Sequence, residues 1–123
     1  MATSLRTIAY EWIDAFNRHD IERLLGLYSD DAAHYSPEME RVKPETGGWL
    51  EGKAQLREWW QHKFDELPDL HYDLMTITAG ETKVFMEYER KVLGQESRHV
   101  MEYLYIENGI ITESRVLRSW PLL

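Results

Sequence analysis

The side chains able to do chemistry gather on two stretches of the chain. His34 and Ser36 lie two residues apart just before Pro37, so on a strand they share one face. Glu102 stands in Val100-Met101-Glu102-Tyr103-Leu104, where strand alternation puts it on the face of Val100 and Leu104. Arg118 comes near Glu102 if the last two strands join through a three-residue turn, Glu107-Asn108-Gly109, with Ile106 opposite Ile110. A two-residue Asn-Gly turn would pair Ile106 with Ile111 and flip the last strand. A histidine, a carboxylate and a guanidinium brought together can perform general acid–base catalysis. The same residues admit a plainer account: Glu102 as the ion-pair partner of Arg118 or Arg115, and His34 as a hydrogen-bonded core histidine.

Those residues must be positioned by the elements around them. Leu5, Ile8, Ala9, Trp12 and Phe16 recur at the spacing of one buried helical face. Asn17 to Asp20 breaks the pattern, and Asp20 can cap a second helix with Ile21, Leu24, Leu25 and Tyr28 as its stripe. Ser29-Asp30-Asp31 is turn chemistry, followed by a short strand over 32–36 that Pro37 ends. Residues 38–51, interrupted by Pro44, Gly47 and Gly48, read as a loop. A third helix is expected over 52–67, with Leu56, Trp59, Trp60, Phe64 and Leu67 buried and Pro68 blocking another turn. Beyond it the chain alternates as strands over 71–78, 82–93, 97–106 and 110–120, with short turns that imply an antiparallel meander.

At 123 residues the chain is expected to form one domain, residues 1–123, with a core that needs no metal or disulfide. It contains no cysteine, which rules out thiolate chemistry and suits a reducing cytoplasm. The net charge of −8 repels phosphate backbones and anionic lipid, so neither nucleic acid nor membrane is expected as a partner. No signal peptide and no spanning segment is expected. His62, His71 and His99 lack the spacing of a metal site, and there is neither a glycine-rich phosphate cradle nor a nucleophile elbow. Five Trp and seven Tyr suit an aromatic-walled pocket as well as a well-filled core.

The order of these features carries a resemblance. A first helix, Asn17-x-x-Asp20, Leu27-Tyr28-x-Asp30-Asp31-Ala32, Gly52 opening a helix with Trp59-Trp60, and the Tyr105-Ile106-Glu107-Asn108-Gly109-Ile110 hairpin resemble the SnoaL-like branch of the nuclear transport factor 2-like superfamily. The resemblance implies an α+β cone: three N-terminal helices on a strongly curved antiparallel sheet, with a pocket inside. It favours the three-residue turn, and so Arg118 facing inward. It places Trp12 and Trp59 on the pocket wall, where core packing alone would also explain them, with Tyr88, Leu104 and Val116 as further lining. Laid on the related ketosteroid isomerases, Ser36 takes the place of the general-base aspartate before proline, Trp12 that of the oxyanion tyrosine, and Glu102 falls near the protonated aspartate. One match in kind of three argues against steroid isomerisation. The Asp-Arg-Asp arrangement of limonene epoxide hydrolase is not reproduced by Arg98, Val100 and Glu102. Two functions stay open: a cofactor-free acid–base enzyme acting on a small apolar molecule (isomerase, dehydratase, cyclase or hydrolase), or a non-catalytic ligand-binding domain. Met101, Tyr103, Tyr105, Ile111 and Leu117 on the outer sheet face, with the family's habit, imply a homodimer through the sheet.

Overall fold

The computed structural model describes residues 4–121. Helix α1 (Leu5–Asn17) starts at Ser4, whose hydroxyl accepts from the Thr7 N–H, and buries Ile8, Ala9, Trp12 and Phe16. His19, at a φ of 54°, turns the chain, and Asp20 caps α2 (Ile21–Gly26) by accepting from the Arg23 N–H, as the sequence predicts. Tyr28 does not belong to α2; it opens β1 (Tyr28–Tyr35), which starts earlier than the expected strand. The cause is tertiary: the Ile111 N–H donates to the Leu27 carbonyl and Tyr28 pairs with Ile111.

Pro37 ends β1 as expected, but the following stretch is not a plain loop. Ser36 caps a short helix, α3 (Pro37–Val42), by accepting from the Met39 N–H. Pro37 suits the first helical position because its missing N–H needs no partner there. A 3-10 turn (Pro44–Thr46) and the edge strand β2 (Trp49–Glu51) lead to α4 (Lys53–Glu66), which buries Leu56, Trp60 and Phe64. Four strands follow: β3 (His71–Ala79), β4 (Lys83–Lys91), β5 (Arg98–Glu107) and β6 (Ile110–Pro121).

The six strands form one sheet in the order β2-β1-β6-β5-β4-β3. Every neighbouring pair is antiparallel except β1 and β6, which run parallel, so the sheet is mixed rather than wholly antiparallel. Helix α1 packs on β3 and β4 and α4 on β1 and β2, leaving the inner faces of β5 and β6 between them. Alternation holds as predicted on β4, where Val84, Met86 and Tyr88 are buried, and on β5, where Val100, Glu102, Leu104 and Ile106 are buried. Full burial of each large apolar side chain of this core contributes about 1.5–3 kcal/mol.

The last hairpin departs from the expected register. Asn108 and Gly109 alone form the loop, with φ of 52° and 78°. Two successive positive φ values make the tight turn whose twist matches that of the strands, so Ile106 pairs with Ile111 and Glu107 with Ile110. The strand then skips Thr112 as a bulge, which restores the phase: Leu104 faces Ser114 and Glu102 faces Val116. A second bulge at Leu117 pairs Met101 with Arg118 and Val100 with Ser119. Arg118 is therefore exposed on the outer face, its guanidinium 5.0 Å from the Trp120 ring. Ile111, expected on the outer face, is buried in the core.

Candidate active site: a buried carboxyl in an aromatic cavity

Between α1, the start of α3, α4 and the inner sheet face lies a cavity of about 520 Å³. Trp12 and Phe16 of α1, Trp59 and Trp60 of α4, Tyr72 of β3 and Tyr88 of β4 supply its aromatic walls. Tyr72 stacks on Tyr88 and on Phe16, each at 4.1 Å between ring centres.

Glu102 lies in this wall, 2% exposed, with Met86 beside it on β4 and Val116 beside it on β6. Tyr88 donates its hydroxyl to Glu102 Oε1 at 2.7 Å. Among the described residues Oε2 has no hydrogen-bond partner. A buried carboxyl oxygen without a partner loses its hydration uncompensated, which disfavours the charged form. Burial accordingly pushes the Glu102 pKa up to about 7, against the smaller opposing effect of the Tyr88 hydrogen bond. At neutral pH the group is divided between acid and carboxylate.

The nearest basic group is His34, whose Nδ1 lies 4.0 Å from Oε2. This is not an ion pair at neutral pH. Burial, with the nearby Lys63 ammonium, drives the His34 pKa down to about 3, so the ring is neutral. A chain of hydrogen bonds holds it. Trp12 Nε1–H donates to the Tyr28 hydroxyl at 2.9 Å, and Tyr28 donates to Ser114 Oγ at 2.8 Å. Ser114 Oγ in turn lies 2.6 Å from His34 Nδ1. Because indole can only donate, the chain has one direction: Ser114 gives its proton to Nδ1, and His34 carries its own on Nε2. The pairing of β1 with β6 makes the last link, since it sets His34 directly beside Ser114.

Of the residues singled out in the sequence, Glu102, His34, Ser36, Trp12, Trp59, Tyr88 and Val116 all border the cavity. Ser36 does so with its hydroxyl committed to the α3 cap. Trp12 does so with its N–H committed to Tyr28. Leu104 does not border it; it is fully buried between Val84 and Ser114 in the adjoining core. Arg118 does not reach it, because the Leu117 bulge turns it outward. Arg115 is also exposed, with its guanidinium over Tyr35. Neither arginine pairs with Glu102, so the structural ion pair is not formed.

Sequence reasoning missed Tyr28 and Ser114, whose meeting depends on the parallel pairing of distant strands. It also missed Arg90 and Arg98, which border the cavity and were legible. Arg90 continues the alternation of Met86 and Tyr88, and Arg98 that of Val100 and Glu102.

The profile of the SnoaL-like domain family matches residues 9–114. No curated protein sequence matches the chain. Among solved structures, a SnoaL-like protein of unknown function from Burkholderia thailandensis superposes with a TM-score of 0.82 at 26% identity, covering 91% of this chain and 92% of that one. A provisionally named ketosteroid isomerase from Kribbella flavida gives 0.76 at 18% identity, covering 97% and 78%. A provisionally named polyketide cyclase from Sinorhizobium meliloti gives 0.76 at 14% identity, covering 89% and 93%. At these last identities the likeness is one of fold.

Proposed function

The chain belongs to the SnoaL-like domain family, and from that premise we propose that it is a cofactor-free acid–base enzyme acting on a small, mainly apolar molecule that carries a carbonyl oxygen. One observation carries the reading: a carboxyl 2% exposed, with one oxygen unpartnered among the described residues, set in the wall of an aromatic cavity. As carboxylate, Glu102 Oε2 takes a proton from the carbon next to the carbonyl. That C–H bond breaks, an O–H bond forms on Oε2, and the electron pair moves onto the carbonyl oxygen as an enolate. Lys63, although paired with Glu38, borders the same cavity close enough to act on His34 beside Glu102, and supplies positive potential for that charge. Glu102 then returns the proton at the same or another carbon and is a carboxylate again. Isomerisation, dehydration and aldol-type cyclisation all pass through such an enolate, and the names given to the Kribbella and Sinorhizobium relatives fall in this range.

A panel of cyclic ketones in D2O, followed by mass spectrometry, tests the proposal. The protein should speed deuterium uptake next to the carbonyl, and Glu102→Gln should abolish the acceleration while keeping the fold. Saturable ketone binding without uptake would replace the enzyme by a binding domain. That second reading is favoured by Ser36, which occupies the pre-proline position but spends its hydroxyl on a helix cap. The proposed setting is the reducing cytoplasm, and the proposed assembly is a homodimer through the outer sheet face, where Met101, Tyr105 and Leu117 remain at least partly exposed.

A further inference from the structure

The cavity has a second pole. Arg90 on β4 and Arg98 on β5 are direct cross-strand partners, and both border the cavity. Like charges placed directly opposite on a sheet repel. Here they stand together in a chain with 22 acidic and 14 basic residues, where a neutralising carboxylate would be easy to supply. Among the described residues neither arginine forms an ion pair. Arg90 donates to the Gln95 side-chain oxygen at 3.1 Å, and Arg98 donates to Ser119 Oγ and to the Ser119 carbonyl, both at 2.9 Å. All of these acceptors are neutral, so the two guanidinium groups are oriented but meet no compensating charge among the described residues. Arg41 borders the same cavity, while Lys63, its other cation, is already paired with Glu38.

Glu102 lies four residues along β5 from Arg98, about 13 Å at a strand rise of about 3.3 Å per residue. Between the two poles the wall is aromatic. We propose that the ligand of this cavity is an amphipathic carboxylate: a flat apolar body with an uncharged oxygen against Glu102 Oε2 and a carboxylate between Arg90 and Arg98. A carboxylate matches the planar fork of a guanidinium and accepts two of its N–H groups at once. It also removes the mutual repulsion of the pair, which a neutral ligand would leave in place. The assignment rests on Glu102 as the site's deep polar group and adds the class of substrate that the cavity selects.

The test uses 6-hydroxy-2-naphthoate, which carries a hydroxyl and a carboxylate at opposite ends of an aromatic body, and its methyl ester. Both are titrated into the full chain at pH 7, following tryptophan fluorescence. The acid should bind at least about tenfold more tightly than the ester, the range of one charge-assisted hydrogen bond. Arg90→Gln should weaken the acid about tenfold and the ester less than about twofold, and Arg90→Lys should recover part of the loss. Added salt should weaken the acid alone. Equal affinity for acid and ester, equal weakening of both by Arg90→Gln, or no saturable binding of the acid would overturn the assignment. Glu102→Gln separates this failure from that of the site itself. If it weakens acid and ester alike while no acid preference exists, the deep carboxyl stands and the arginine pole falls. If an acid preference exists but ignores Glu102→Gln, the ligand's oxygen does not meet Glu102, and the two-pole placement falls with the site reading.

Discussion

Glu102→Gln should change the pH dependence of stability in a direction opposite to that of an ion-pair loss. The Glu102 pKa rises from 4.5 to about 7 on folding. A carboxyl with a raised folded pKa holds its proton longer in the native state. Its stabilising contribution is complete below about pH 4.5 and is lost as pH rises through about 7. At 1.36 kcal/mol per tenfold, the loss amounts to about 3 kcal/mol. His34 works the other way. Its pKa falls from 6.5 to about 3, so the unfolded chain binds the extra proton and stability rises with pH up to about 6.5. Between pH 4.5 and 6.5 that gain is also about 3 kcal/mol. The two nearly cancel in the wild type, which should look flat over this window apart from its surface groups. The nearly isosteric amide removes one partner of the cancellation. Urea unfolding from pH 4.5 to 8 should therefore show the variant gaining on the wild type by about 3 kcal/mol, and ending more stable at pH 8. Removing one member of a buried ion pair would instead cost about 3–5 kcal/mol near neutral pH. Parallel curves for the two proteins, or a variant less stable at pH 8, would refute the account of a desolvated, unpaired Glu102.

Two further perturbations probe the rest of the arrangement. Tyr28→Phe leaves the buried Trp12 N–H without an acceptor and Ser114 without a donor, and should cost about 1–3 kcal/mol in urea unfolding; a change under about 0.5 kcal/mol would break the proposed chain to His34. For the proposed dimer, Leu117→Glu places a charge on the outer face where Leu117 is 43% exposed, and should convert a dimeric sedimentation coefficient to a monomeric one without lowering the melting temperature of the fold; a wild type that is already monomeric at micromolar concentration would remove the dimer.

Much of the architecture was legible because its signals are local. The stripe of α1, the Asp20 cap, the α4 stripe and the alternation along β4 and β5 each depend on residues within a few positions of one another. That alternation was enough to turn Glu102 inward between Val100 and Leu104, and it would have turned Arg90 and Arg98 inward too. The remaining elements depend on partners far away in the chain. Tyr28 reads equally well as the end of a helical stripe and as the start of a strand, and the parallel partner at Ile111 settles which. The Ser36-Pro37 pair ends a strand and starts a helix with the same two residues.

The last strand shows the division most sharply. Its composition contains no mark for a bulge, because a skipped residue keeps its chemistry and loses only its ladder partner. Yet each bulge inverts every side chain beyond it. The tight Asn108-Gly109 turn alone would have put Ser114 outside; the Thr112 bulge brings it back in, beside His34. The Leu117 bulge then sends Arg118 out to Trp120 and Ser119 in to Arg98. The sequence alone determined that a carboxyl would lie on the inner face of a central strand among aromatic side chains. Only the tertiary pairing decided that neither Arg115 nor Arg118 would meet it, because the phase of β6 depends on two bulges that appear only in its pairing with β5.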